Sequence, residues 1–362
     1  MKKRILSIFI LIGLILSLFA CEPEYPPVKS TEEELQTVMT FSIEGETYNV
    51  PYELYRAFFL LLKDEIDGGD SSVWSGKDKD EYIEKIDKRI TENLSEIYSV
   101  FHVAKRVGID LYSEENEEAL DNYIKAGVEG GIVDSMSFEG FGGDYNKYLE
   151  FIKELNFNYS AHRTMLRWAL GSELIDYYYI GDSETEGELK YTEDDVRDFY
   201  FGDDSARVIE GYFAEGSTAF TKDELISLRN EVAAAESEEA AALLIINKSL
   251  TVGDDILRGS IIGKYSRPPL FYSELTEAAL SLSVGECAEL IEVSTAFENG
   301  YYIIYKAEKS EENFEQCYDE ISRIYLKHRI GKLLSEAQDT LIKSARITDT
   351  LKNLDRAEVK MK

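Results

Sequence analysis

Histidine and cysteine are both scarce in this chain. Its 362 residues include 3 His and 3 Cys, with no Cys-x-x-Cys motif and no cluster of the two residue types. A structural zinc site needs four such ligands at close spacing, so we expect none. A Ser-His-Asp triad needs a histidine beside a nucleophile, and nothing around His102, His162 or His328 suggests one. We interpret all three histidines as packing residues on helices.

Positive charge is also in short supply. Lysine and arginine total 39 residues against 70 aspartates and glutamates, which gives a formal net charge of −31. Such a body repels phosphate backbones and anionic membrane surfaces, so nucleic acid is not an expected partner. The acidic runs at 67–70 and 76–81 lack EF-hand spacing, and we interpret them as solvated loops. We expect neither a metal nor another cofactor.

The first twenty residues predict the compartment. The cationic start MKKR precedes the apolar run 5–20, which is shorter than the roughly 20 residues that a membrane-spanning helix needs. We interpret 1–20 as a secretory signal peptide, with an uncleaved membrane anchor as the alternative. The sequence LFAC, ending at Cys21, resembles the lipobox of bacterial lipoproteins. That resemblance implies a lipid on Cys21 and a position on the outer face of the cytoplasmic membrane.

What the chain has in quantity is apolar and aromatic residues, at 44% and 12% of the sequence. These amounts are enough to bury real cores, so the chain is not read as disordered. Half of the 6 prolines fall in 22–37, which has no periodicity and is predicted to be a tether. Two short strands around a turn at Gly45 follow, and then amphipathic helices to about residue 205, among them one over 79–107.

The pattern changes near residue 206. The sequence ARVIEGYFA (206–214) alternates like a strand, and CAELIEV (287–293) and GYYIIYKAE (300–308) predict two more. Because side chains alternate along a strand, Tyr302 and Ile304 are expected on one face and Ile303 and Tyr305 on the other. A long amphipathic helix over 312–345 closes the chain and is expected to dock on the N-terminal helices, since it cannot bury its apolar face alone.

Three stretches together resemble the PrsA and SurA type of extracytoplasmic foldase. They are TFSIEGETYNVPYELYRAFF (40–59), HVAKRVGIDLYSEENEEALDNYI (102–124) and SELTEAALSLSVGECAELIEVSTAFENGYYIIYKAEK (273–309). The last resembles the short helix, Leu-x-x-Gly-Glu turn, strand, loop and closing strand of a parvulin-type peptidyl-prolyl isomerase domain. The resemblance implies an α+β, multidomain fold in which a mainly helical chaperone domain, built from both ends of the chain, carries an inserted parvulin-like domain.

The resemblance implies the following divisions of the chain: signal peptide 1–20, tether 21–37, helical chaperone domain 38–205, parvulin-like domain 206–308, C-terminal helix on the N-terminal domain 309–350, and tail 351–362. It also implies a catalytic pair that this chain lacks. Parvulins carry a histidine on the first strand and another on the last, and here Gly211 and Tyr302 are aligned with them. Their Gly-rich segment with an acidic residue or cysteine corresponds to RGSIIGKY, with Ser260.

The peptide groove implied by the resemblance is better preserved than the catalytic pair. Phe271 and Leu275 stand where the family lines its proline pocket, and Tyr212 and Tyr302 are expected to complete an aromatic floor. Ordinary core packing is the alternative for these side chains. No catalytic residue is assigned, although the Tyr302 hydroxyl could donate a hydrogen bond as a histidine does.

The sequence therefore predicts a lipid-anchored chaperone that binds unfolded or newly secreted polypeptides without a cofactor. Its acidic body is expected to favour basic segments. Two alternatives stay open: an active parvulin-type prolyl isomerase, and a lipoprotein that binds a small solute. Cys287, on a predicted strand, and Cys317, on a predicted helix, are interpreted as semi-buried thiols, with a disulfide between them as the alternative.

Overall fold

The computed structural model describes residues 25–345 except 69, 134–135, 182–185, 215–219, 250–258, 268 and 295–298. The predicted signal peptide, Cys21 and the predicted tail 351–362 therefore lie outside the described residues. The described chain is a mainly helical α+β structure, which confirms the predicted fold class. None of its described helices combines the length and apolar character needed to cross a bilayer.

The helices, in chain order, are α1 Tyr52–Asp67, α2 Lys79–Arg106, α3 Glu114–Glu129, α4 Tyr145–Glu154, α5 Tyr159–Ile180, α6 Glu193–Phe201, α7 Lys222–Ala233, α8 Glu238–Ile246, α9 Pro269–Ser281, α10 Glu311–Gln316 and α11 Tyr318–Asp339, with a 3₁₀ turn at Ser71–Ser75. The strands are β1 Thr37–Ile43, β2 Glu46–Pro51, β3 Gly131–Val133, β4 Met136–Phe138, β5 Ser205–Ala214, β6 Ser260–Gly263, β7 Ile291–Ser294, β8 Asn299–Ala307 and β9 Ile342–Ala345.

Local sequence explains where many helices begin. Ser113 and Ser237 accept a hydrogen bond from the backbone three residues on, which satisfies an amide that the first helical turn leaves unpaired. Thr192 and Thr221 do the same and form full capping boxes with Asp195 and Glu224. These side-chain contacts fix where the four helices begin.

Both ends of the described chain build the helical part. Strand β1 lies between β2 and β9 in an antiparallel sheet, so residues about 300 apart in sequence are neighbours. Helix α11 packs on α2 and α5, and its Ile330 and Ala337 join the core formed by α1 and α2. Helix α11 thus lies against helices from the N-terminal half of the chain.

The closing segment differs from the predicted single helix over 312–345. Helix α10 ends at Gln316, Cys317 separates it from α11, and α11 itself ends at Asp339. The last described residues, Ile342–Ala345, leave the helical path and extend along β1 as β9. The pairing with β1 supplies backbone hydrogen bonds that a continued helix would have made internally.

Between α6 and α10, a second sheet has the order β6-β5-β8-β7, with every pair antiparallel. Helices α7 and α8 cover one face of it, where the buried cluster contains Ile209, Phe213 and Ile303. Helix α9 lies on the other face, where the cluster contains Val208, Tyr302 and Ile304. The predicted alternation along β8 is confirmed, because Tyr302 and Ile304 lie on one face and Ile303 and Tyr305 on the other.

The two parts meet along α11. A methyl group at Gly331 would overlap the carbonyl oxygen of Tyr265, so this glycine allows the turn after β6 to lie directly on the helix. Ile261 of β6 joins the cluster of α6, α10 and α11. On another side, α9 contacts α2, with Arg89 Nη2 3.9 Å from Glu274 Oε1.

Candidate functional site

The candidate site is the face of the second sheet that α9 covers. Strands β5 and β8 pair from Arg207 to Ala214, which sets Tyr212 opposite Tyr302. Their ring centroids lie 4.9 Å apart at an angle of 37°. A Cβ at Gly300 would lie 2.9 Å from Cε2 of Tyr212, so the absence of a side chain there leaves room for the Tyr212 ring. The two rings therefore form a continuous aromatic surface across the two central strands.

Leu275 of α9 is fully buried and belongs to the same cluster as Tyr302, with Tyr212 packed against it. Three of the four residues predicted for the peptide groove are thus close together on one face. Phe271 lies on α9, and its side chain is outside what the structure describes. Tyr302 is 9% exposed whereas Tyr212 is half-buried, so Tyr212 is the ring of the pair with more surface in contact with solvent.

An ion pair that the sequence analysis did not identify lies on this face. Glu210 precedes Tyr212 by two positions and so projects to the same side of β5. Its carboxylate accepts hydrogen bonds from Arg267 at 2.7 and 3.2 Å, one to each oxygen. Both side chains are half-buried, and a two-pronged contact of this kind fixes the guanidinium plane. The alternation along β5 is the signal that could have revealed Glu210, whereas Arg267 comes from a turn with no such period.

Gly211 does not lie where the alignment with parvulins placed it. It pairs with Ile303, and a Cβ at this position would lie 2.5 Å from Cγ2 of Ile245 on the α8 side of the sheet. Tyr302 faces the opposite side. Gly211 and Tyr302 therefore cannot correspond to two groups of one catalytic site. Tyr212 is the residue of β5 that lies opposite Tyr302 and faces the same side of the sheet.

The three histidines lie on α2, α5 and α11, as predicted, and each is engaged in packing. His102 is buried between Glu44 and Tyr48, with 3.1 Å from each ring nitrogen to its partner. Nδ1 of His162 is 3.1 Å from the Tyr148 hydroxyl, and burial lowers the pKa of this imidazole to about 4. His328 stacks between Phe199 and Tyr265, at centroid distances of 4.9 and 5.3 Å. Burial lowers its pKa as well.

The remaining candidate nucleophiles are placed for packing. Ser260 pairs with Val208 at the start of β6. Cys287 forms an isolated bridge with Tyr305 ahead of β7, and its side chain lies in the cluster on the α7 and α8 face. Burial raises the pKa of the Cys287 thiol to about 11, so it is protonated at neutral pH. Cys287 and Cys317 are both buried, and no disulfide links them.

Among the described residues, no three His, Cys, Asp or Glu side chains form a group able to hold a metal ion. The site offers aromatic surface, a carboxylate and guanidinium held together, and the hydroxyl groups of Tyr212 and Tyr302. These groups can pack against an apolar side chain and donate hydrogen bonds to a peptide carbonyl. The described part of this face contains no histidine.

No family model matches the sequence, and no curated protein matches it either. Solved structures that resemble this chain include PrsA foldases. Foldase protein PrsA from Streptococcus pneumoniae is 17% identical, with 73% of this chain and 87% of that chain covered and a TM-score of 0.28. PrsA from Bacillus subtilis is 17% identical, with 78% of this chain and 90% of that chain covered and a TM-score of 0.24. Foldase protein PrsA from Lactococcus lactis is 10% identical, with 89% of this chain and 98% of that chain covered and a TM-score of 0.25.

Proposed function

We propose that this protein is a lipid-anchored extracytoplasmic chaperone of the PrsA type, which binds unfolded polypeptide and has weak or no prolyl isomerase activity. The observation that carries the proposal is the α9-covered face of the second sheet. It presents the stacked Tyr212 and Tyr302 beside the Glu210–Arg267 pair, and its described part has no histidine. Such a surface can hold a peptide but lacks the family's titrating pair.

Peptide binding follows from the chemistry of that face. Aromatic rings supply large apolar contact area at a low cost in side-chain entropy, and their hydroxyl groups satisfy polar atoms at the edge of the contact. The guanidinium of Arg267 is already oriented by Glu210, so little further ordering is needed when a peptide carbonyl approaches it. Of the predicted groove residues, these features favour Tyr212 and the exposed edge of Tyr302 as the peptide contact, while the buried Leu275 supports the two rings. Phe271 is proposed to take part with them.

The anchor and the location are proposed from the lipobox-like LFAC sequence. A lipid on Cys21 would hold the protein at the outer face of the cytoplasmic membrane, since a body with 70 acidic residues is repelled by anionic lipid. The same charge keeps a complex with an aggregating client soluble and attracts basic client segments. The expected tether 21–37 is not a free linker where the structure describes it, because Tyr25 donates to Glu129 and Ser30 donates to Glu53 of the helical part. From Tyr25 onward the segment lies against the folded body, which would keep that body close to the lipid.

An aggregation assay tests the proposal. Light scattering of a reduced client protein is followed with the purified chain at an equimolar amount, and we expect clear suppression. The variant Tyr212→Ala should suppress less, because Tyr212 is the more exposed ring of the pair. A client that aggregates equally with and without the chain would contradict the proposal. The exposed variant Lys88→Ala on α2 serves as the matched control.

An active isomerase is the second candidate, favoured by the Tyr302 hydroxyl and by Arg267. Rotation about an X-Pro bond has a barrier of about 18–20 kcal/mol and needs no covalent chemistry, so well-placed donors can lower it. A proline-peptide isomerisation assay decides the matter. A rate equal to that of buffer excludes the activity, and loss of a measured rate in Tyr302→Phe would assign the donor.

The small-solute lipoprotein is not favoured. That alternative predicts two α/β lobes with parallel strands, whereas every strand pair in the described part of the chain is antiparallel. A shift in melting temperature with candidate solutes would reopen it.

A further inference from the structure

The middle of α11 differs in charge from the rest of the molecule. Residues 321–335 (ISRIYLKHRIGKLLS) contain four lysines and arginines and no acidic residue, in a chain with 70 acidic residues. Burial raises the pKa of the Asp176 carboxyl on α5. Two of these cations, Arg323 and Lys327, lie near that carboxyl and partly offset the shift. The other two, Arg329 and Lys332, lie on a different side of the helix and face a groove.

This groove runs along α11 and has a volume of about 340 Å³. Its lining mixes apolar and cationic side chains, all but Leu189 from α11, and we refer to the apolar ones as the apolar wall. The apolar lining is Leu189, Tyr325 and Leu333, and the polar lining is His328, Arg329 and Lys332. Glu336 lines its far end. We refer to these seven residues as the α11 groove.

Arg329 is held in place before any ligand arrives. Its Nη1 donates to the carbonyl oxygen of Lys190 at 2.9 Å, and its guanidinium carbon lies 5.7 Å from the centre of the Tyr325 ring. Neither Arg329 nor Lys332 forms an ion pair with a carboxylate among the described residues. Lys332 is exposed. Hydrogen bonds from Thr192 lower the pKa of the Asp195 carboxyl on α6, and Arg329 still lies near enough to help lower it. The groove therefore offers two cations without a carboxylate in ion-pair contact, one of them held in a fixed orientation.

The apolar wall extends beyond the groove. Tyr191 is 40% exposed and its ring contacts Tyr325 at a centroid distance of 6.1 Å. From Tyr325 to Glu336 the helix rises about 16 Å at 1.5 Å per residue. An extended peptide covers that length with about five residues at 3.3 Å each. The length of the groove fits a short extended segment, and its lining fits a segment that carries both an acidic and an apolar side chain.

We propose that the α11 groove is a second polypeptide-binding site, for an extended segment in which a carboxylate side chain neighbours an apolar one. The carboxylate is bound by Arg329 and Lys332, and the apolar side chain packs on Leu189, Tyr325 and Leu333. Glu336 repels a further carboxylate at that end, which gives the segment a preferred direction. The inference rests on the proposed function, since it names a class of client segment.

The charge of the groove complements that of the remaining surface. The acidic body attracts basic segments, whereas the α11 groove selects acidic and apolar ones. A free phosphate or phosphate headgroup would engage the two cations alone, whereas a peptide with an acidic and an apolar side chain also packs on Tyr325 and Leu333. For this reason we assign the groove to polypeptide, and anionic vesicles are the competing occupant in the test.

Fluorescence anisotropy tests the proposal directly. The probe is a fluorescein-labelled eight-residue peptide with alternating Asp and Leu, and the comparison peptide carries Lys in place of Asp. We expect the Asp peptide to bind more tightly. The double variant Arg329→Gln, Lys332→Gln should weaken its binding by about tenfold or more, since charge-assisted hydrogen bonds are lost. Leu333→Asp should weaken it too, because that change places a repelling carboxylate in the apolar wall.

The matched control is Arg323→Gln, Lys327→Gln, which removes the same charge from the same helix outside the groove. Equal weakening by the control, or equal affinity for the two peptides, would overturn the proposal. So would binding of phosphatidylglycerol vesicles through Arg329 and Lys332 without binding of the peptide. Thermal melts establish that each variant is folded.

If the Asp peptide fails to bind while client aggregation is still suppressed, the groove proposal falls and the proposed function stands. If the Asp peptide binds while client aggregation is not suppressed, the groove proposal stands and the proposed function falls.

Discussion

At the scale of single residues, Gly211 illustrates how tightly the second sheet is covered. A Cβ at this position would lie 2.5 Å from Cγ2 of Ile245 and 3.2 Å from Cβ of Ser249. A β-branched isoleucine in a buried cluster has little freedom to move away. The position thus has no space for a methyl group, and still less for the imidazole that the family carries on this strand.

The first prediction concerns this contact. Gly211→Ala should lower the free energy of unfolding by about 1–3 kcal/mol, because overpacking forces side chains off their preferred rotamers. Urea denaturation measures the change. In an Ile245→Ala background, which removes the obstructing methyl group, the same substitution should cost clearly less. Equal costs in both backgrounds would show that the contact with Ile245 is not the cause.

The second prediction concerns His162. Burial lowers its pKa to about 4, whereas the unfolded chain titrates near 6.5. Between these values the unfolded state binds the extra proton, so the stability that His162 contributes is present above about pH 6.5 and is lost as pH falls toward 4. The loss should amount to about 1–3 kcal/mol.

The variant His162→Asn keeps a side chain able to hydrogen-bond with Tyr148 but does not titrate. Urea denaturation at pH 7, 6 and 5 should therefore give a flatter dependence for the variant than for the wild type. Burial also lowers the pKa of His328, but that group is present in both proteins and cancels in the difference. Parallel curves for the two proteins would contradict the assignment to His162.

At the scale of secondary-structure elements, local signals in the sequence predicted much of what is seen. A capping residue and the residue three positions on are enough to specify a helix start, as at Thr192 and Thr221. Strand β9 could not be predicted in this way, because its partner β1 lies about 300 residues earlier. The face occupied by Gly211 was also missed, since a register error of one residue moves a side chain to the other side of the sheet.

In the candidate site too, the residues with a local sequence signal were predicted and those without one were missed. Tyr212, Tyr302 and Leu275 were predicted from motif and alternation, and the structure places them in one cluster. Arg267 was missed because its position depends on a turn after β6 that has no periodic signal. Contacts that depend on how distant segments fold against each other have no local signature in the chain.

The third prediction tests how β9 is held to the helical part. The Lys343 amine of β9 pairs with the Asp87 carboxylate of α2 and donates to Oγ1 of Thr91 at 2.8 Å. Lys343→Ala would leave a largely buried carboxylate without its cation, and Oδ1 of Asp87 already has no partner among the described residues. The free energy of unfolding should fall by about 1–3 kcal/mol.

Lys105→Ala is the control for this change. Its amine is 2.7 Å from Glu46 Oε2, but both side chains are more than half exposed, so its loss should cost no more than about 0.5 kcal/mol. The double variant Lys343→Ala, Asp87→Ala should recover part of the loss. A cost for Lys343→Ala as small as that of Lys105→Ala would mean that the pair does not anchor β9.

At the scale of the whole molecule, the second sheet belongs to a segment whose ends are close together. Arg207 of β5 and Ala307 of β8 are register partners in an antiparallel pair, so the chain enters and leaves this segment at neighbouring positions. Its two clusters are formed by its own strands and helices. A core of its own and adjacent ends are typical of an inserted domain.

The fourth prediction is that residues 206–308 can be replaced by a linker of about five glycines and serines without loss of the helical fold. Closing so short a gap costs little entropy. The helical part should keep a single cooperative transition but melt at a lower temperature, because its cluster on α6, α10 and α11 loses Ile261 and Gly331 loses its contact with Tyr265. Insertion of the same linker after residue 308, with the domain retained, controls for the linker itself. A deletion variant that is unfolded by circular dichroism, beside a folded control, would show that the helical part depends on the inserted domain.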